Sequence, residues 1–236
     1  MRLALVIALA ACGDNRRVDI PYFTWEGERT MGAMELDHLP PDDPGMLARI
    51  DAAPDREWAA MFYTHAPGDM VSWATLDAFL ARVHDDGLPF FTFADLAAGG
   101  PPTSGVCLSF DDTEVDEWFQ LQPLLDKYGA RVSFFVTRYA QFTAVQRDEL
   151  HQLYEAGNSI EAHGVNHAYA DEYIPANGLD AYVNDEVLPS IAILQADGFT
   201  PVAYAHPGGS HTPELDAALL PHIQLLRGIS GAPLPE

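Results

Sequence analysis

Lysine is almost missing from this chain. Lys127 is the only one, and lysine plus arginine number 12 against 35 aspartates and glutamates, a net charge of −23. So acidic a surface repels phosphate backbones and anionic lipid headgroups, which excludes nucleic acid and direct binding to a membrane surface. Cysteine is scarce as well. Cys12 and Cys107 are the only two, and Cys107 falls within an apolar, strand-like run. That excludes a disulfide framework and makes Cys107 an inert buried thiol. Beyond the first dozen residues, no apolar stretch is long enough to span a bilayer. What is present is ordinary globular material: 48% of the 236 residues are hydrophobic and 20% charged, enough for one sizeable core. The acidity itself names no substrate, because a halophilic or merely very soluble surface has the same composition.

The start of the chain reads as a targeting segment. Arg2 supplies the positive charge, Leu3 to Leu9 the apolar stretch, and Ala10-Ala11 the small residues before a cleavage point. Leu9-Ala10-Ala11-Cys12 resembles the lipobox of bacterial lipoproteins. The expectation is a lipoprotein signal peptide over 1–11, a lipid on Cys12 as the sole membrane attachment, and an exported protein anchored in the bacterial cell envelope. Residues 12–57 are rich in Asp, Pro, Gly and Arg and read as a tether, with Tyr22, Phe23 and Trp25 available to dock on the domain. Residues 58–236 form the domain proper.

From Trp58 onward, strand and helix patterns alternate. Strands are expected at 58–63, 89–93, 106–110, 131–137, 159–162, 201–205 and 223–227. Helices are expected at 72–86, opened by Ser72, at 115–128, closed by Gly129, at 143–156, closed by Gly157, at 179–196 with a kink at Pro189, and after Thr212-Pro213. Seven strands alternating with helices imply an α/β fold with a parallel sheet, most simply closed into a barrel. His65, Asp111, Asp112, His163 and His206 then all fall at the C-terminal ends of strands, the face on which barrel enzymes build their sites.

Asp111 and Asp112 sit side by side at the mouth of the apolar run Gly105–Phe110. Adjacent carboxylates raise each other's pKa unless a cation neutralises them. His163 and His167 follow another strand, and one Asp with two His is a first shell suited to zinc or a similar divalent ion. The remaining carboxylate then stands beside activated water, as a metal-assisted hydrolase requires. The plainer reading is that the Asp pair caps the next helix; the His pair and the matching strand ends weigh against it. The spacing of His163 and His167 also suits a zincin helix, but Gly164 occupies the position of that motif's glutamate.

Ser109-Phe110-Asp111-Asp112 followed by His163-Gly164-Val165-Asn166-His167 resembles the two metal motifs of the polysaccharide deacetylase family. Ala203-Tyr204-Ala205-His206-Pro207-Gly208-Gly209 is similar to the family's third motif. Phe62-Tyr63-Thr64-His65 is similar to a segment of the permuted subgroup that acts on poly-N-acetylglucosamine. The resemblance implies a distorted (β/α)7 barrel and a metal-dependent hydrolase removing acetyl groups from N-acetylglucosamine-type glycans. Asp112, His163 and His167 would hold a divalent metal, with zinc expected first and cobalt, nickel or manganese as alternatives. Asp111 would be the general base, His65 the acid protonating the leaving amine, and Gly208 with His206 would face the oxyanion and substrate. Thr113, Gly164 and Ala205 depart from the family pattern, Ala205 standing where many members have an arginine that orients the base.

Two rivals remain open at the level of sequence: a catalytically inactive glycan-binding module, and a barrel amidohydrolase for a small amide. Exposed aromatics on the rim, such as Tyr169 and Tyr173, would favour a sugar.

Overall fold

In a computed structural model, residues 21–231 are described. The expected signal peptide and lipidated Cys12 lie outside them. The strands are β1 (Tyr22–Phe23), β2 (Thr30–Glu35), β3 (Ala59–Thr64), β4 (Phe90–Phe91), β5 (Gly105–Asp112), β6 (Ser133–Val136), β7 (Ser159–Ala162), β8 (Ala203–Ala205) and β9 (Leu225–Ile229). Among the described residues, seven parallel strands close into a ring in the order β2-β3-β5-β6-β7-β8-β9. Helices lie outside, so the expected (β/α)7 barrel is the fold. Its loosest seam joins β7 to β8 through a single residue pair, Ala162 with Tyr204. There the buried Glu161 carboxylate reinforces the seam, accepting from the Val202 and Ala203 amides at 2.7 and 2.8 Å.

One ring strand lies where the sequence suggested a tether. β2 is inserted between β3 and β9, with Met34 opposite Phe62 and Met31 opposite Arg227. Met31, Ala33 and Leu36 are buried, and the helix Pro44–Ala52 packs Met46 and Ile50 into the core behind Asp43, whose side chain caps it. Residues 21–57 are therefore part of the barrel. Conversely, the strand expected over 89–93 shrinks to β4, which pairs with β5 beside the ring. Thr92 and Asp95 form a capping box, so a helix starts at Phe93 and runs to Ala98.

The period of two along β5 divides its residues between two cores. Val106, Leu108 and Phe110 pack outward against the helices, while Cys107 joins Met61, Tyr63, Phe135 and Ala205 inside the barrel. Asp111 continues the inward row. Among the other expected helices, Val115–Tyr128 forms with the expected limits, and Trp73–Asp85 and Ala144–Glu155 form with slightly shifted ones, the last with a Thr143–Gln146 capping box. The run expected over 179–196 is broken by a π-helical turn at Val183–Val187 just before Pro189. No helix among the described residues is long and apolar enough to cross a membrane.

Candidate active site

The rim of the barrel collects the expected residues. Asp112 ends β5, His163 follows β7, and His167 closes the loop after it; their donor atoms lie within 4.8 Å of one another. Asp112 Oδ1 is 3.2 Å from His167 Nε2 and 3.5 Å from His163 Nε2, yet among the described residues it has no hydrogen-bond partner. A buried carboxylate oxygen facing two ring nitrogens without bonding to them is set up as a co-ligand. His163 Nδ1 donates to the Ala205 carbonyl at 2.9 Å, which leaves the Nε2 lone pair free. Burial works against ionising Asp112, but His163, with His167 and His65 beyond it, holds the carboxyl down at about 2. Burial, helped by the neighbouring His163, lowers His167 and favours the neutral ring that can ligate. The donor set fits a divalent transition metal.

The backbone is strained to make this cluster. Asp112 has φ +89° and His167 φ +62°, left-handed values that cost on the order of 1–3 kcal/mol each outside glycine. Neither aspartate caps the following helix, which has no side-chain cap. Gly164, a departure from the family pattern, has φ +82°, and a Cβ there would stand 3.2 Å from Glu186 Oε2. Glu186 is buried in the π-helical turn and accepts from the Asn166 amide at 2.9 Å and from Asn166 Nδ2 at 2.5 Å, holding the histidine loop in place.

Asp111 is 2% exposed and points into the barrel, its Oδ2 3.9 Å from His163 Nε2. Both of its oxygens accept from Arg227 Nη2, and Arg227 is itself 1% exposed. The guanidinium lies over the Tyr63 and Phe135 rings at 4.7 and 5.1 Å. His65 Nδ1 meets Asp37 Oδ2 at 2.5 Å, and Thr64 Oγ1 and the His65 amide bond to the other Asp37 oxygen. Burial opposes the charge on His65, but the Asp37 hydrogen bond and the charges of Asp111, Asp37 and Asp112 outweigh it and raise the ring to about 9. His65 is therefore a protonated imidazolium near neutrality, suited to donating a proton. His65, Gly68, Asp69, Asp112, Glu114 and Glu117 line a cavity of about 580 Å³.

Of the two positions expected to face the oxyanion and substrate, His206 turns away from this group and Gly208 borders it through Tyr169. His206 is buried and turned toward His211 and Asp216; burial pushes it down to about 4. Gly208 sits in the turn Pro207–Gly209 at φ +61°, where a Cβ would come within 2.9 Å of the Tyr169 ring. Tyr169 is 42% exposed and its ring meets that of His167 edge-on at 5.4 Å. Tyr173 is not a rim aromatic: it packs against Tyr182 and bonds to Asp185.

Sequence reasoning missed Arg227, Asp37 and Glu186. Each carries a faint signal: Arg227 is a lone charge in the apolar run Leu225–Ile229, and Glu186 falls among the apolar residues of a helical stretch. Asp37 has none, lying in acidic, proline-rich sequence.

The family model described as Polysaccharide deacetylase matches residues 98–220, which takes in Asp111, Asp112, His163, His167, His206 and Gly208. No curated protein matches the chain. Solved structures share the fold. The Streptococcus pyogenes deacetylase PplD in complex with acetate is 20% identical at a TM-score of 0.56, covering 71% of this chain and 89% of that one. IcaB from Ammonifex degensii is 19% identical at 0.56, covering 69% and 79%. BC0361, a polysaccharide deacetylase from Bacillus cereus, is 16% identical at 0.57, covering 74% and 62%.

Proposed function

The chain belongs to the polysaccharide deacetylase family, and we propose that it is a divalent-metal-dependent N-deacetylase of N-acetylglucosamine-type polysaccharide. One observation carries this reading: a buried, arginine-held carboxylate, Asp111, stands next to the Asp112–His163–His167 donor set and on the same rim as the charged His65.

Asp112, His163 and His167 would hold a divalent ion, which when bound would supply Lewis-acid chemistry and lower the pKa of water. Asp111 takes the proton of the attacking water at its carboxylate. Arg227 fixes the orientation of that carboxylate and balances its charge in the barrel interior. His65 gives its proton to the departing amine, and Asp37 keeps the ring charged and aimed. The Gly208 N–H is the backbone donor assigned to the developing oxyanion. A purely binding module has no use for a buried base held by an arginine, which weighs against an inactive protein. The exposed Tyr169 face beside His167 is suited to stacking on a pyranose ring, and this favours a sugar over a small amide.

The location is part of the same proposal: residues 1–12 support export and a lipid on Cys12, with membrane contact through that lipid alone. The test of the activity is acetate release from N-acetylglucosamine oligomers by metal-loaded protein. Asp111→Asn should retain the metal and lose about 10²–10⁴-fold in turnover. No acetate release from oligomers by the loaded wild type would overturn the reading.

A further inference from the structure

A second group of ligand-type side chains occupies the neighbouring strand end. His206 follows β8, His211 lies in the next loop, and Asp216 is on the helix Pro213–Leu219; their donor atoms also lie within 4.8 Å of one another. His206 Nε2 is 3.1 Å from Asp216 Oδ1, and His206 is 1% exposed, yet neither of its ring nitrogens has a hydrogen-bond partner among the described residues. The distance is short enough for a hydrogen bond but the direction is wrong. Two ligands of one ion stand in this way. Bonds of about 2.0–2.2 Å to a common ion set neighbouring donors roughly 3.0–3.5 Å apart, each lone pair aimed at the ion instead of at the other donor. The Asp112 cluster shows the same relation between Oδ1 and its two histidines.

His211 completes the group. Its Nδ1 lies 3.2 and 3.1 Å from the two Asp216 oxygens, and its ring stacks on His206 at 4.8 Å and 17°. The far edge of the ring rests on Gly228, where a Cβ would come within 3.0 Å of Nε2, so the backbone of β9 leaves room for it. His211 also lines a cavity of about 410 Å³ with Asp171, Ser210 and Glu214, which gives an ion a way in. A hydrogen-bonded His–Asp–His cluster is the simpler alternative. It satisfies His211 but leaves both His206 nitrogens unpaired in the interior among the described residues, whereas an ion would take up one of them.

We propose that His206, His211 and Asp216 form a second site for a divalent transition metal, separate from Asp112, His163 and His167. Two imidazoles and a carboxylate are the same donor set as at the first site, so zinc-class ions are the ligand expected. The site lies next to Ala205, whose carbonyl receives the His163 Nδ1–H. An ion there would pin the end of β8 and with it the orientation of His163.

The full chain, stripped with chelator and titrated with zinc chloride, is read by calorimetry and by elemental analysis after dialysis. Wild type should take up two equivalents. His211→Ala and Asp216→Ala should each take up one, as should His163→Ala through loss of the other site. A single equivalent in wild type that His211→Ala retains overturns the proposal, as do two equivalents that persist in both His211→Ala and His211→Gln. The wild-type count requires no variant to fold, and the gentler His211→Gln guards against a variant that unfolds.

Discussion

Arg227 stands directly opposite Ala205 in the parallel register of β8 and β9, and its guanidinium reaches the buried carboxylate of Asp111. Neighbouring positions in a parallel ladder face the same way, so both side chains point into the barrel. The arginine missing at Ala205 is thus supplied one strand over.

Replacing Arg227 with Met keeps the volume and removes the charge. Turnover should fall by about 10²–10⁴-fold with the metal still bound, because the base loses its orientation while the ligand set is untouched. Breaking a buried pair from one side costs about 3–5 kcal/mol, so a lower melting temperature is expected as well. Arg227→Lys keeps the charge but loses the planar guanidinium that lies over Tyr63 and Phe135, and should fall between wild type and Arg227→Met. Adding Ala205→Arg to Arg227→Met should return part of the activity, which a purely structural role would not explain. Wild-type turnover in Arg227→Met would remove Arg227 from the mechanism.

The N-terminal strand gives a second test. β2 closes the ring between β3 and β9, and without it both neighbours lose a partner and Met31, Ala33 and Leu36 leave the core. A chain beginning at residue 58 should show no cooperative thermal transition and no activity. A sharp melt near that of the full protein would mean that residues 21–57 are dispensable.

The way these residues were found or missed follows from the range of their interactions. The motif residues could be read because they end or closely follow short strands marked by neighbouring glycine or proline, a pattern that is local. Arg227 and Asp111 meet across the barrel from positions 116 apart, and Asp37 meets His65 from 28 apart. No local periodicity encodes such pairs. Thr30–Glu35 reads as irregular because its alternation is blurred by Gly32 and it is followed by acidic, proline-rich sequence; only the two strands beside it make it a strand. At Pro89–Phe93 the reverse holds: five residues with strand character yield to the Thr92–Asp95 cap, a local signal stronger than propensity.

The last test concerns how Asp37 sets the proton on His65. The ring is raised from 6.5 to about 9, burial opposing the charge and the Asp37 hydrogen bond leading the groups that favour it. A group raised in this way keeps its proton below its folded value and loses it as pH climbs through it. Activity that needs the imidazolium should therefore fall on the alkaline side. Asp37→Asn keeps an acceptor oxygen but removes the charge, so the pKa of His65 should drop toward its ordinary value. The alkaline limb of kcat/KM should move to lower pH, leaving the variant close to wild type in mild acid and most impaired between about 6.5 and about 9. His65→Ala should abolish the limb altogether. It should also slow an N-acetyl substrate more than an activated acetyl ester, because an ester's leaving group needs less protonation. The stability contribution has the same sign: the pair should contribute fully below about 6.5 and fade as pH rises through about 9, so the melting difference between wild type and Asp37→Asn should shrink in alkali. An alkaline limb unmoved by Asp37→Asn, or equal losses on both substrates in His65→Ala, would leave His65 as a structural partner of Asp37 and place the proton donor elsewhere on the rim.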